Sequence, residues 1–229
     1  MKSLVLLGGG VDGTVCLADT IKKHGVENVA TFTVDYGQKN EKMLSATLEI
    51  SNYYKVKNIR VDLTSIYKDC NCPTLRFSKE KMEHGSMEEL EKEYRNAPVK
   101  TAVPYLLGNI ISAAAAVAWE NDYECIMWSV CCNHTTRNAY PDGTSIFVHT
   151  AQTQVSTGSG NKVKLVTPFI DLTTADLVRM GKKYNVPFEK TVSCFDNHEK
   201  ACGLCPSCRA RIDAFKEAGV KDPIPYEVN

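Results

Sequence analysis

The chain has 229 residues, of which 43% are hydrophobic and 24% are charged, as in soluble globular proteins. Lys and Arg together number 27, and so do Asp and Glu, so net charge gives no reason to expect bulk binding of nucleic acid or of a membrane surface. The first apolar run is too short for a signal peptide and no run reaches transmembrane length, so we expect a cytoplasmic protein without nucleic-acid or membrane partners.

The first third of the chain alternates predicted strands and helices. β-branched and apolar residues predict strands at 3–7, 29–35 and 58–62, and helical spacing predicts helices from about 15 to 24 and from 39 to 54. This order is typical of a parallel sheet covered by helices on both faces.

The middle of the chain first departs from this alternation of strands and helices. The polar segment 64–98 reads as a surface excursion, helical around Met87–Tyr94. Pro104 then opens a predicted helix over 106–120, whose alanine run allows close approach to a sheet.

The remaining predicted elements complete the fold. Strands are predicted at 124–130 and 163–166, a loop at 131–143, and helices at 173–184 and 208–218. Thr173 and Asp176 form a predicted capping box. We therefore predict an α/β fold: a doubly wound parallel sheet of about five strands over 1–190, followed by a zinc-binding module over 191–229.

Ligands of such sheets lie beyond the carboxyl ends of the strands. This rule predicts one crevice bordered by Gly8–Thr14, Asp35–Gln38, Ser129–Asp142 and Thr167–Pro168.

Four of the ten cysteines crowd into one short segment: Cys194, Cys202, Cys205 and Cys208. Two-residue gaps let neighbouring thiolates reach one tetrahedral zinc ion at about 2.3 Å, and four thiolates leave no open position, so a structural zinc site is predicted. Packed reduced cysteines and an iron–sulfur cluster are alternatives, and His198 could replace one cysteine.

A glycine-rich turn, Gly8–Thr14, directly follows the first predicted strand. Glycines let backbone N–H groups approach an anion, and the next helix points its positive end to the same place. The Gly-Lys-Ser/Thr ending of a Walker A loop is missing, and a purely structural tight turn is the alternative interpretation.

A family resemblance joins these motifs. Besides the glycine turn, five stretches are informative: Asp35-Tyr36-Gly37-Gln38, Val103-Pro104, Tyr140-Pro141-Asp142, Thr167-Pro168 and the tail from Ser193-Cys194 through Cys208 and Arg211 to Tyr226. The glycine turn resembles that of the pyrophosphate-loop ATPases, and the five stretches resemble the 7-cyano-7-deazaguanine synthases of queuosine-precursor synthesis.

The resemblance implies an activity and a set of site residues. The activity is ATP-dependent conversion of 7-carboxy-7-deazaguanine and ammonia to 7-cyano-7-deazaguanine through adenylated intermediates, with Mg²⁺ neutralising the phosphates. A homodimer stays open as the quaternary state. The implied residues are Gly8, Gly9, Gly10, Gly13 and Thr14 for ATP, Tyr36, Gly37 and Gln38 for substrate, and Asp12 and Asp142 for catalysis.

Several positions depart from the usual pattern of that family. Glycines replace two loop serines, at Gly8 and Gly13. Uncharged residues replace basic ones at Leu106, Thr144 and Thr174, and Leu107, Gly143, Cys131 and Thr136 are further changes. We therefore expect weak ATP binding and turnover. Two other hypotheses stay open: a divergent relative that binds 7-deazaguanines or acts as a scaffold without cleaving ATP, and an enzyme that stops at an amide.

Overall fold

A computed structural model of the chain describes residues 1–95, 97–131 and 139–228. Five strands form a single sheet in the order β3-β2-β1-β4-β5, and every neighbouring pair is parallel. They are β1 (Ser3–Leu6), β2 (Val29–Asp35), β3 (Lys57–Asp62), β4 (Cys125–Met127) and β5 (Lys164–Val166). The predicted parallel sheet of about five strands is confirmed.

The helices of the described residues lie between and after these strands. They are α1 (Val11–His24), α2 (Lys42–Tyr53), α3 (Thr64–Tyr67), α4 (Met87–Tyr94), α5 (Leu106–Glu120), α6 (Ser145–Gly158), α7 (Thr174–Lys183) and α8 (Pro206–Ala218). None of these helices combines the length and apolar character needed to cross a bilayer.

Two hydrophobic cores cover the two faces of the sheet. Alternate residues of β1 serve both: Val5 packs with the core of α1, α7 and α8, and Leu4 packs with that of α5 and α6. Ala114 and Ala118 are fully buried, so α5 lies close against the sheet, as its small side chains predict.

Helix α6 has no counterpart among the predicted elements. Its sequence is rich in Thr, Ser, Val and Ile, which favour helices weakly. Tertiary packing decides the outcome, because Val148, Ala151 and Val155 fill one side of the core. The Thr144 hydroxyl caps its start by accepting from the Phe147 N–H at 3.3 Å.

The segment between β3 and α5 was predicted to lie on the surface, but part of it is buried. Helix α4 forms at the predicted place, with a capping box at its start. Tyr67 and Leu75 are buried with Val103 in a small core of their own. Gly85 N–H donates to the Leu204 carbonyl at 3.0 Å, so the segment also contacts the cysteine-rich tail.

Candidate functional site

The turn after β1 faces a cavity of about 370 Å³ at the carboxyl edge of the sheet. Gly8, Gly10 and Gly13 line this cavity, and the start of α1, which no side chain caps, lies beside it. Gly9 stands behind the wall with φ +85°, and a Cβ there would lie 2.6 Å from the Met43 carbonyl oxygen. This close approach requires glycine at position 9.

Gly8 and Gly13 are not required by the backbone in the same way. Neither has a positive φ. A Cβ at Gly8 would meet nothing within 4 Å, and one at Gly13 would make ordinary contacts, the nearest 3.4 Å from the Leu6 carbonyl oxygen. A serine would therefore fit at both positions, and the two glycines place no hydroxyl group on this part of the cavity wall.

Asp12 is the acidic residue of this turn, on the first turn of α1. Its side chain lines the cavity, and its Oδ1 is buried without a hydrogen-bond partner in the described part of the chain. Burial raises the pKa of Asp12 to about 6. Such an oxygen suits a cation or a donor brought by a ligand.

Tyr36, Gly37 and Gln38 follow β2 and form a second wall. Tyr36 lines the cavity, and its ring meets that of Tyr67 edge to face at 6.3 Å. Gln38 also lines the cavity. Its side-chain amide stabilises the turn after β2, because Oε1 accepts from Tyr36 N–H at 3.0 Å and Nε2 donates to the Val34 carbonyl at 3.2 Å. Gly37, with φ +87°, packs beneath Phe77 and does not line the cavity.

Thr14 and Asp142 lie outside the cavity wall. The Thr14 hydroxyl donates to the Gly10 carbonyl at 2.7 Å, so its hydrogen-bond donor is used at the start of α1. Asp142 Oδ2 accepts from the Leu107 N–H at 2.9 Å, so this carboxylate stabilises the N-terminal end of α5. Leu107, its partner, does line the cavity.

Arg211 is the one basic side chain that the described residues place on the cavity wall. It is 3% exposed and fully engaged: Nε and Nη2 donate to the two Asp222 oxygens at 2.8 and 2.9 Å, and Nη1 donates to Thr191 Oγ1 at 2.7 Å. The sequence shows Arg211 as a tail motif but not as part of this wall. No described cation is free to meet a phosphate here.

The rest of the wall is apolar or carries hydroxyls. Leu106, Leu107 and Ile110 come from α5. Ser129, which was predicted inside the strand 124–130 and at the border of the crevice, follows β4 and lines the cavity. Thr174 also lines the cavity, at the position where the resembling family carries lysine. Most of the predicted loop 131–143, with Thr136, lies outside the described residues.

The four tail cysteines form a second, separate centre. The sulfur atoms of Cys194, Cys202, Cys205 and Cys208 all lie within 4.8 Å of one another, and all four residues are buried. The Cys202 and Cys208 sulfurs are 3.9 Å apart, close to the roughly 3.8 Å edge of a tetrahedron with about 2.3 Å zinc–sulfur bonds.

The surroundings of the cysteines also fit a metal thiolate centre. Backbone N–H groups of Cys202 and Cys205 donate to Cys194 Sγ and Cys202 Sγ at 3.4 and 3.3 Å. Hydrogen bonds from the Cys194 and Cys208 thiols lower the pKa of Cys205. Helix α8 starts at Pro206, and its positive end faces the cluster.

The spacing favours one ion over a cluster of four irons, in which each thiolate binds a different iron and the sulfurs lie farther apart. His198 is not part of the centre: its ring nitrogens face Asp196 at 3.1 Å and Glu227 at 3.5 Å. The four-cysteine set is therefore complete without it, and a single tetrahedral ion such as zinc fits the site.

The tail is joined to the rest of the molecule by direct contacts. Asn40 Nδ2 donates to the Cys194 carbonyl at 2.8 Å, and Lys42 Nζ donates to the His198 carbonyl at 2.6 Å. Phe215 of α8 enters the α1–α7 core and meets Phe188 edge to face at 5.1 Å.

Known proteins match this chain over nearly its full length. The family model described as Queuosine biosynthesis protein QueC matches residues 2–219. A protein of Methanosphaerula palustris named 7-cyano-7-deazaguanine synthase is 34% identical over 99% of this chain and 100% of its own length. The protein of the same name from Thermoplasma acidophilum is 35% identical over 99% of this chain and 92% of its own.

Among solved structures, the chain resembles the U34-tRNA thiolase NcsA from Methanococcus maripaludis with its 4Fe-4S cluster. The TM-score is 0.52 at 14% sequence identity, over 95% of this chain and 67% of the thiolase. At this identity the likeness supports the fold alone.

The first prediction concerns the metal. We expect one zinc ion per chain in elemental analysis of the purified protein, and we expect Cys205→Ser to lose it and to lower the melting temperature, because a closed thiolate site contributes folding free energy. Cys125→Ser, which changes a buried cysteine outside the cluster, serves as the control and should keep the zinc. Iron with visible absorption, or no metal, would contradict the assignment.

The second prediction concerns Asp12. Its folded-state pKa lies above the ordinary 3.8, so ionisation destabilises the fold as the pH rises from 4 to 6. Asp12→Asn should therefore be more stable than the parent by about 1–3 kcal/mol at pH 7, and the difference should shrink towards pH 4. Urea unfolding of both proteins across this range measures it, and a difference independent of pH would refute the buried, unpaired carboxylate.

Proposed function

The chain belongs to the family described as Queuosine biosynthesis protein QueC, and we propose on this basis that it synthesises 7-cyano-7-deazaguanine from 7-carboxy-7-deazaguanine, ammonia and ATP. The reaction forms a carbon–nitrogen bond and splits ATP to AMP and pyrophosphate. The observation that carries the proposal is the 370 Å³ cavity at the carboxyl edge, where the glycine turn, Asp12 and Tyr36 meet. This volume suits a small molecule.

The proposed reaction runs in two halves. The substrate carboxylate attacks the α-phosphorus of ATP and pyrophosphate leaves; ammonia then attacks the acyl carbon and AMP leaves, giving an amide. The amide oxygen then attacks the α-phosphorus of a second ATP, releasing pyrophosphate and one proton, and loss of AMP and the second proton gives the nitrile. No covalent bond to the protein is needed, so the chain acts by positioning and charge stabilisation.

The residues of the turn have definite parts in this proposal. The backbone N–H groups at the start of α1 would bind phosphate oxygens, aided by the positive end of the helix. Asp12 would hold Mg²⁺ through its unpartnered oxygen. That ion, when bound, supplies charge neutralisation of the phosphates. Tyr36 would position the substrate ring, and Asp142 would act indirectly by fixing the start of α5.

One observation favours a second candidate function. The described wall offers no free cation, and Leu106 and the two glycines stand where the resembling synthases carry a basic residue and hydroxyl groups. A divergent relative that binds a 7-deazaguanine without cleaving ATP would suit such a wall. An enzyme that stops at the amide still needs ATP, so the wall does not distinguish it from the full synthase.

A direct assay separates these functions. We expect the zinc-loaded protein with ATP, Mg²⁺, ammonia and 7-carboxy-7-deazaguanine to yield AMP and the nitrile, both identified by mass, and we expect Asp12→Asn to reduce the yield at least about tenfold. The amide without nitrile would identify the amide-forming variant. Ligand binding by calorimetry without AMP would support the binding protein, and neither binding nor AMP would overturn the proposal.

The last prediction for this site concerns the missing hydroxyls. Gly8→Ser with Gly13→Ser should fit without backbone change and raise ATP affinity or turnover. A hydrogen bond to a charged group contributes about 1.5–3 kcal/mol, so the two together could add roughly two to four decades. Gly8→Ala with Gly13→Ala is the control, because it adds the same Cβ atoms without hydroxyls. If alanine performs as well as serine, or neither changes ATP binding, the argument from lost hydroxyls is wrong.

A further inference from the structure

Two serines of the tail line the cavity. Ser193 stands directly before Cys194, and Ser207 stands directly before Cys208, so each serine neighbours a residue of the cysteine centre. Both serines are half-buried, whereas all four cysteines are buried. A bound ion would fix the two cysteine backbones, and the serine hydroxyls with them, in one geometry. The cysteine centre is therefore a rigid support for both hydroxyls.

The segment that carries Ser193 runs alongside the glycine turn. Val192 N–H donates to the Gly9 carbonyl at 2.8 Å, and a Cβ added at Gly10 would lie 3.9 Å from the Val192 carbonyl oxygen. Gly10, Val192 and Ser193 all line the same cavity. The Ser193 hydroxyl thus stands next to a part of the wall where the turn itself contributes no hydroxyl group.

Hydrogen bonding orients the Ser193 hydroxyl. Arg211 Nη1 donates to Ser193 Oγ at 3.3 Å, so the serine oxygen is an acceptor on that side. A hydroxyl also carries one donor hydrogen, and in the described part of the chain nothing accepts it. A charged donor polarises a hydroxyl and strengthens it as a donor. Ser193 therefore offers the cavity a polarised O–H, although Arg211 itself is held by Asp222.

Ser207 offers a second hydroxyl at the start of α8. It is the second residue of that helix, and its side chain makes no hydrogen bond to another described residue. Ser207 and Arg211 are four residues apart on one face of α8, the face that meets Ser193. The positive end of the helix dipole lies at the same place and favours an anionic acceptor.

Phosphate is the ligand group that this arrangement suits best. The described wall offers no free cation, so a phosphate needs neutral donors in addition to its metal ion. Another part of the wall, with Tyr36, Leu106 and Leu107, is aromatic and apolar and suits a ring. Because Ser193 adjoins the glycine turn instead, its hydroxyl is placed for the phosphates.

We propose that Ser193 and Ser207 bind the pyrophosphate end of ATP and supply the hydroxyl donors that the glycine turn lacks. This proposal rests on the proposed function, since it takes ATP as the ligand. It also gives the cysteine centre a part in ligand binding, because loss of the ion would release both serines at once. Arg211 is then a positioning residue that acts through Ser193 and does not meet the phosphates itself.

Calorimetry on the zinc-loaded protein tests the two serines, with Mg²⁺-pyrophosphate, Mg²⁺-ATP and AMP as ligands. Ser193→Ala should weaken the binding of pyrophosphate and of ATP at least about tenfold, because a hydrogen bond to a charged acceptor is lost, and should leave AMP within about twofold. Adding Ser207→Ala should bring the loss to about hundredfold. Ser193→Thr keeps the hydroxyl and should bind all three ligands as the parent does.

The matched control is Thr191→Val. The Thr191 hydroxyl accepts from the same Arg211 nitrogen, Nη1, at 2.7 Å, but Thr191 does not line the cavity. This variant therefore removes a hydrogen bond of Arg211 without removing a hydroxyl from the wall, and it should keep its affinity for pyrophosphate. Zinc content shows whether the cysteine centre is intact in each variant.

Three results would overturn the assignment of the serines. One is a Thr191→Val protein that loses as much pyrophosphate affinity as Ser193→Ala, because the effect would then come from Arg211. Another is a loss of affinity confined to 7-carboxy-7-deazaguanine, which would assign the hydroxyls to that substrate. The third is unchanged pyrophosphate binding in the double serine variant while the parent still forms AMP, which leaves the proposed function intact. A parent that binds neither ATP nor pyrophosphate would overturn both proposals.

Discussion

The position of β1 at the point where the strand order reverses governs the rest of this molecule. From β1 the chain runs outward through β2 and β3, then crosses to β4 and β5 on the other side. Because all five strands are parallel, the segments that follow β1, β2 and β4 open at one edge. The connections diverge there and leave a crevice between them. The cavity, its glycine turn and its Tyr36 wall are consequences of this topology.

A buried ion pair completes that crevice from the far end of the chain. Arg211 joins Asp222, Thr191 and the Phe188 carbonyl, so the α8 tail is fixed against the segment after α7. Such a pair contributes little net stability when intact, yet breaking it leaves a buried charge that costs about 3–5 kcal/mol. Its main effect is to fix one geometry, in which the cysteine centre and the cavity wall are parts of a single packing arrangement.

The electrostatics of the cavity are unbalanced. Asp12 is held with an unpartnered, buried oxygen and a raised pKa, while Arg211, the basic group that the described wall contains, is neutralised by Asp222. A phosphate entering this cavity without a cation would meet a carboxylate and no compensating charge. The site therefore suits a ligand that arrives with a cation, or one with little charge of its own. This imbalance is why the two glycines matter: the hydroxyls they lack would have been neutral donors in such a place.

Short-range sequence patterns account for the features that local chemistry controls. Strand β2, helix α5 and the Thr173–Asp176 capping box follow from short-range patterns, and cysteine spacing alone indicated the metal centre. The other features depend on packing between segments that are distant in the chain. Helix α6 forms because its apolar residues pack in the core on one face of the sheet, not because its sequence favours a helix. The Gln38 amide makes its hydrogen bonds within its own turn. A neighbouring carbonyl leaves no room for a Cβ at position 9, whereas position 8 has room for one. Those outcomes depend on atoms brought close by packing between distant segments, and no local pattern records them.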